Sequence, residues 1–319
     1  MSRLRIGLLT NPSAASGAAQ RTGRQVAHLL RIAGISVVEL TAVSAAVARA
    51  RAMEVRDTLT ALVVVGGDGT VSLGAGIVAE TPVRLGVVPA GSGNDFARAL
   101  GMEEADVEGS VRRLLQALSR PVVAIDAIEL RSGVDGDPTG IDRSIALGNV
   151  SLGFDALVNA RANDSRLSPR MRYTGALVRE ISAFRSRRYW IEVDGGPRED
   201  IDASLLTLCN TGVLGGGMRL VPDARVDDGR LDLAVVAGLS RTGLLRLFPR
   251  VFRGTHTDLS VFSTRPVHQI RVGLHESTLL RAYADGEARN QLPVRARVLP
   301  GAVRILADLP AAADTRGNT

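Results

Sequence analysis

Up to about residue 121, short apolar runs alternate with segments of helical period. Residues 4–9, 36–40 and 62–65 read as strands, and residues 18–33 and 45–56 as helices. The run Val63-Val64-Val65 is β-branched and unbroken by polar residues, which suits a strand buried on both faces. Strand and helix in alternation predict an α/β domain around a parallel sheet. From Val122 the pattern changes. Residues 122–130, 145–150, 189–193, 203–210, 230–236, 268–272, 278–284 and 294–298 read as strands, and 132–142 and 194–200 as hairpin connections. A helix over 171–184 interrupts this mostly antiparallel part. The small, polar tail from Pro310 reads as disordered.

Two glycine-rich turns fall where a strand of the first part meets a helix. The first, Gly66-Gly67-Asp68-Gly69-Thr70, follows the strand 62–65. Its glycines let the backbone approach a ligand closely, and the helix begun over 71–79 offers anion-attracting N–H groups. The second, Gly91-Ser92-Gly93-Asn94-Asp95, follows a strand from Leu85 to Val88 that Pro89 stops, and precedes a short helix over 96–100. Each turn holds a carboxylate, Asp68 or Asp95, that repels phosphate unless a cation sits between them. The pair therefore points to a divalent ion such as Mg2+. The plain alternative for either turn alone is an ordinary strand-to-helix connection with its acid as a cap. In a parallel sheet both turns lie at the carboxyl ends of the strands, where ligands bind.

Composition narrows the chemistry. At 319 residues and 45% hydrophobic, the chain suits two modest domains with buried cores. With no apolar run near the length of a membrane span and no secretory leader, a cytoplasmic location is expected. A single cysteine, Cys209, excludes an intramolecular disulfide, and His28, His256, His268 and His275 lack metal-ligand spacing. There is no lysine, so all 39 basic residues are arginine. That excludes a Walker-type phosphate lysine and the strand lysine of protein kinases. Backbone N–H groups, hydroxyls, arginine and metal are left to hold phosphate.

The two turns together, with Pro89-Ala90 before the second and Phe96-Ala97 after it, resemble the diacylglycerol kinase catalytic domain. That domain also occurs in sphingosine and ceramide kinases and in bacterial soluble lipid kinases. The first turn alone is shared with NAD kinases and phosphofructokinases, while the second is more specific to lipid kinases. The resemblance continues in Asn11-Pro12, in Gly215-Gly216-Gly217-Met218, in Pro222-Asp223-Ala224, in the run from Asp227 to Asp232, and in Asp285-Gly286-Glu287. It implies a Rossmann-like N-terminal domain of the phosphofructokinase/NAD-kinase type over 1–121, completed by a returning segment at 302–309. A mostly antiparallel β-sandwich for the lipid substrate would span 122–301.

The resemblance further implies ATP and Mg2+ as cofactors. Nucleotide contacts would come from Thr10, Asn11, Pro12, Ser13 and Ala14, from Thr41, and from Gly66, Gly67, Asp68, Gly69, Thr70, Val71, Ser72 and Leu73. Gly91, Ser92 and Asn94 would add others. Ser92 replaces the usual threonine and keeps the hydroxyl. Ser72-Leu73 stands where many members carry Asn-Glu, and Ala14-Ala15 interrupts the opening loop. A structural Mg2+ is implied at the carbonyls of Arg225 and Arg230 and the side chain of Asp228, a region that otherwise reads as a turn into a strand.

Asp285-Gly286 between strand-like segments is by itself a hairpin turn signal. Were Asp285 and Glu287 both in a strand, they would share a face. Phosphoryl transfer to an alcohol wants a carboxylate to accept the hydroxyl proton. The resemblance implies Glu287 as that base with Asp285 assisting, Asp68 and Asp95 organising metal and phosphates, and leaves open which late acid takes the proton.

Arginine concentrates at 161–190, and at 241–256 it is interleaved with Leu244, Leu245, Leu247, Phe248, Val251 and Phe252 without any acid. This suits peripheral docking on an anionic membrane that presents a lipid substrate, or a solvated helix whose apolar side packs inside. With aromatic residues at 3% and no reading motif, nucleic acid is not an expected partner. A homodimer is left open. The expected function is an ATP- and Mg2+-dependent kinase for a diacylglycerol-like lipid. The alternatives are an NAD kinase-like enzyme, against which Asn94-Asp95-Phe96-Ala97 argues, and a non-catalytic nucleotide-binding regulator, suggested by Leu73.

Overall fold

The computed structural model describes residues 4–11, 18–42, 44–91, 93–102, 106–132, 143–153, 186–276 and 280–309. The first lobe runs β1 (Arg5–Thr10), α1 (Ala18–Ile32), β2 (Ser36–Glu39), α2 (Ala45–Val55), β3 (Ala61–Gly66), α3 (Asp68–Val78), β4 (Arg84–Pro89), α4 (Asp95–Ala99) and α5 (Val107–Leu118). Strands β2, β1, β3 and β4 pair in parallel in that order. Every residue of β3 is buried, because the strand feeds two cores. Leu62 and Val64 pack with Ala75 and Val78 of α3, while Val63 and Val65 pack with Val26 and Leu30 of α1 and Leu114 of α5. Alternation of side chains across an apolar strand produces this double contact.

The second lobe contains β5 (Val123–Ser132), β6 (Ser144–Ala146), β7 (Asn149–Ser151), β8 (Arg187–Val193), β9 (Arg198–Ala203) and β10 (Leu205–Cys209). It continues with β11 (Val213–Leu214), β12 (Met218–Arg219), β13 (Leu231–Val236), α6 (Arg241–Arg253), β14 (Phe262–Val267) and β15 (Gln269–Leu274). The last three strands are β16 (Arg281–Ala284), β17 (Glu287–Gln291) and β18 (Val294–Ile305). An antiparallel sheet ordered β14-β13-β10-β7-β16-β17 faces the strands β5, β8, β15 and β18. Ile128, Tyr189, Leu208, Leu233, Val272 and Ala282 fill the space between. Helix α6 covers the outer face, burying Leu247 and Val251 against Cys209, Val236 and Phe262.

One sheet runs through both lobes, which the separate segments 294–298 and 302–309 did not predict. Residues 294–299 of β18 pair antiparallel with β5, and after an irregularity Arg304 and Ile305 pair in parallel with Arg84 and Leu85 of β4. Gly301, at φ 58°, supplies the left-handed residue the bend requires. Asp126 fastens it, accepting from Gly301 N and Gly229 N at 2.7 Å each.

Other boundaries shift for local reasons. The segment 145–150 splits into β6 and β7, because the intervening amides turn toward Asp285. β9 starts inside the expected loop 194–200, since Asp194 and Gly195 both take positive φ and turn the chain sharply. The helix expected over 171–184, most of the loop 132–142 and the tail from residue 310 lie outside the described residues. Among the described residues no helix is long and apolar enough to cross a membrane.

Candidate active site

β3 and β4 are neighbours, so their carboxyl ends deliver the two glycine turns side by side. The turns touch. A Cβ on Gly91 would lie 2.3 Å from Gly67 Cα, so no side chain fits between them. Ala90 N donates to Gly66 O (2.9 Å). Asn94, in the left-handed conformation that asparagine tolerates, pins the second turn. Its Oδ1 accepts from Gly91 N and its Nδ2 donates to Gly91 O, both at 3.0 Å. Asp68 Oδ1 accepts from Phe96 N (3.0 Å), tying the start of α3 to α4. Asp95 accepts from Gly216 N (3.0 Å) and Gly217 N (2.9 Å) of the β11–β12 hairpin, and from Arg98 at 3.3 Å. The first lobe thereby grips the second through the Gly215-Gly216-Gly217 segment.

The opposite wall is the β16–β17 hairpin. Asp285 (φ 49°) and Gly286 (φ 79°) form a two-residue turn with both φ positive, the geometry that matches strand twist. Asp285 therefore does not lie in a strand or share a face with Glu287, because left-handed φ at the turn swings its side chain inward. Its carboxylate accepts from the backbone N–H groups of Leu147, Gly148 and Asn149, each at 2.9 Å, and from the Ser72 hydroxyl of α3. Four donors leave it no free lone pair suited to proton abstraction, and they fasten the hairpin to the first lobe. Glu287 opens β17, is exposed, and lies against the first turn. Its Oε1 is 2.8 Å from where a Cβ on Gly69 would be. Among the described residues its carboxylate accepts no hydrogen bond. Of the two late acids, Glu287 is the one chemically available as a base.

Burial, together with the nearby charges of Asp95 and Asp285, pushes the Asp68 carboxyl up to about 6 against the lowering effect of the Phe96 amide. Asp95 is raised as well, by burial first, and its bonds from Gly216, Arg98 and Gly217 offset only part of that. Two half-buried carboxylates that repel each other fit a divalent cation. Mg2+ takes one or two carboxylates and completes its shell with phosphate oxygens and water. Among the described residues no group of three His, Cys, Asp or Glu side chains could hold a metal, so those other ligands would have to complete it.

A cavity of about 490 Å³ lies between α2, α3, β6 and β17. Of the expected nucleotide contacts it is lined by Thr10, Asn11, Gly69, Thr70, Ser72 and Leu73, with Glu287 at its edge. Leu73 also packs on the core beneath, so it supplies apolar surface where a polar contact is usual. Thr41 stands behind the cavity, its Oγ1 accepting from Thr10 N at 3.3 Å. Val71 points into the core. Pro12, Ser13, Ala14 and Ser92 lie outside the described residues. A smaller cavity of about 90 Å³ adjoins Asp68, Asp95 and Asp285 and is closed by Phe96, Val213 and Leu214.

Sequence reasoning missed the amides of residues 147–149, which carry no side-chain signature, and the arginines Arg49, Arg143 and Arg289 of the large cavity. Arg289 stands two residues from Glu287 in β17, where the pairing with β16 shifts register, so strand alternation alone did not mark it.

Arg225, Asp228 and Arg230 lie in the turn before β13. Arg225 pairs with Asp227 (3.2 Å), and Asp228 Oδ1 accepts from Arg230 N (3.1 Å). Burial raises the neighbouring carboxyls of Asp126 and Asp232, and the charge of Asp228 adds to both, so this turn is short of positive charge.

Comparison with known proteins follows the two lobes. Residues 5–127 match the diacylglycerol kinase catalytic domain, and residues 148–307 match the YegS C-terminal NAD kinase beta sandwich-like domain. A diacylglycerol kinase of Mycobacterium tuberculosis (strain ATCC 25618 / H37Rv) is 34% identical, over 95% of this chain and 94% of its own. The crystal structure of a diacylglycerol kinase from Bacillus anthracis str. Sterne is similar with a TM-score of 0.69, covering 98% of this chain and all 100% of the other at 20% identity. Yeast NADH kinase complexed with NADH is similar with a TM-score of 0.52 at 12% identity, over 96% and 83%. The two structures, remote in sequence, speak to the fold alone.

Proposed function

We infer the reaction from a plain premise: the chain belongs to the diacylglycerol kinase family and is a lipid kinase. The reaction proposed is transfer of the γ-phosphoryl group of ATP to the hydroxyl of a diacylglycerol-like lipid, giving a phosphatidic acid-type product. One observation carries it. The free carboxylate of Glu287 lies against Gly69, so base and phosphate cradle face each other across the cleft.

In the step, Glu287 takes the proton of the acceptor hydroxyl as its oxygen attacks the γ-phosphorus. The bond from that phosphorus to the β-phosphate's bridging oxygen breaks, and ADP leaves. The backbone of the first turn, with Thr70, holds the phosphates at the start of α3. Asp68 and Asp95 would hold Mg2+, which when bound offsets phosphate charge and relieves the repulsion between them. Asp285 keeps the second lobe aligned through its nest of amides. The acceptor's hydroxyl end would enter beside Phe96, Val213 and Leu214.

The membrane side of the proposal rests on α6. Leu247 and Val251 are buried, but Leu244, Phe248 and Phe252, spaced four apart, are only half-buried, and Arg246, Arg250 and Arg253 are exposed. The helix contacts β12, in the hairpin whose amides hold Asp95. An anionic lipid surface docked there would present its lipid to the cleft.

The test uses purified protein, Mg2+, ATP labelled at the γ-phosphate, and mixed micelles of diacylglycerol, monoacylglycerol or ceramide, with dissolved NAD as a further acceptor. Label in diacylglycerol is expected. Label in NAD, or in no acceptor, would refute the reading.

A further inference from the structure

Three arginines, Arg49, Arg143 and Arg289, line the large cavity in a chain that has no lysine. Their situations differ. Arg143 is already paired with Glu80 and Glu129. Burial alone would raise the Glu129 carboxyl, but hydrogen bonds from Arg297, Arg131 and Arg143 outweigh it and lower it to about 2, so Arg143 is fully engaged there. Arg49 of α2 is exposed and reaches over α3 at Gly76, its Nη1 3.4 Å from where a Cβ there would stand. That point is about 10 Å along the helix from Gly69.

Arg289 is placed otherwise. It lies on β17 two residues beyond Glu287, about 7 Å along the strand, and both line the large cavity, where Glu287 rests on Gly69. It is half-buried and has no carboxylate partner among the described residues. Its Nε is shielded from solvent and has no hydrogen-bond partner among the described residues. With Nε enclosed, the terminal nitrogens of this half-buried guanidinium are the ones an acceptor arriving in the cavity that Arg289 lines would meet.

We propose that Arg289 is the guanidinium that binds the terminal phosphates of the nucleotide, forking onto two of their oxygens beside the Glu287 base. The proposal deepens the kinase reading and rests on it. A planar fork matches phosphate geometry in a way a single ammonium cannot. Held there, it also offsets the charge that builds on the bridging oxygen as ADP leaves.

The experiment measures calorimetric affinity for ATP, ADP, AMP and adenosine in Arg289→Ala, Arg289→Gln and Arg289→Lys, each checked for an unchanged unfolding midpoint, together with kcat and KM. Ala and Gln should weaken ATP ten- to a hundredfold and leave AMP and adenosine within twofold, while Lys retains part of the ATP affinity. Unchanged ATP binding would overturn the proposal. So would equal losses for ATP and adenosine, with or without a lowered midpoint, since these mark a packing role. If the unsubstituted protein binds no ATP, the nucleotide reading itself fails and this proposal with it. ATP binding that survives in every variant overturns this proposal alone.

Discussion

On the first-lobe wall of the cleft, Asp68 faces Asp95 and receives amide hydrogen bonds from Phe96 and Asp95. On the second-lobe wall, Asp285 receives three amides and a hydroxyl. The same side chain is under-compensated on one wall and saturated on the other. The contrast separates chemistry from scaffolding: Asp68 is available to a cation, Asp285 held by four donors is a fastener, and Asp95, held by Gly216, Gly217 and Arg98 yet still raised, serves both. Glu287, next to the fastener yet free of it, gains its position from the hairpin without losing its lone pairs.

The sharpest way to break this division is at the base. Glu287→Gln should lower kcat by about 100- to 10,000-fold while ATP affinity and unfolding midpoint stay put. Retained turnover, read in the labelled-lipid assay, would shift the base elsewhere. Next in size is Asp285→Asn. A single amide oxygen cannot serve three N–H donors, and its NH2 group would point at one of them. A loss of about 2–5 kcal/mol in denaturant unfolding is expected, from buried donors left unpaired.

Asp68→Asn should do the opposite to stability. Raised from 3.8 to about 6 in the folded state, Asp68 binds more protons folded than unfolded between those values, so stability falls as pH climbs through that window. Above about pH 6 the amide removes a penalty of up to ~3 kcal/mol, since each tenfold change in proton affinity is worth ~1.4 kcal/mol. Thermal unfolding should show the variant more stable than the unsubstituted protein at pH 7.5, with the difference closing near pH 4, and the variant inactive. A variant less stable at both pH values would erase the contrast with Asp285. The smallest effect belongs to Ser72→Ala, which deletes one of the four donors to Asp285. About 1 kcal/mol of stability and a few-fold in kcat are expected, measured by unfolding and steady-state kinetics.

The first-lobe wall was legible in the sequence because its signals are local. Gly66 to Thr70 and Gly91 to Asp95 each carry glycine, acid and flanking strand within a few residues. The alternation of α/β elements was legible for the same reason. The second wall was not. Asp285 meets amides at residues 147–149, well over a hundred positions away, and backbone donors leave no mark on residue identity. Its left-handed turn also overrode the strand alternation that would have put it beside Glu287. The run of β18 through both lobes was hidden because 294–298 and 302–309 read as separate segments, while the residues between them form a bend held by Asp126.

The most direct measurement is a crystal structure with Mg2+ and a non-hydrolysable ATP analogue. The polyphosphate should lie on the first turn at Gly67 to Thr70, with a metal between it and the Asp68–Asp95 pair and the γ-phosphate facing Glu287. Phosphate density lodged away from both turns, or with Glu287 turned out of the cleft, would contradict the account.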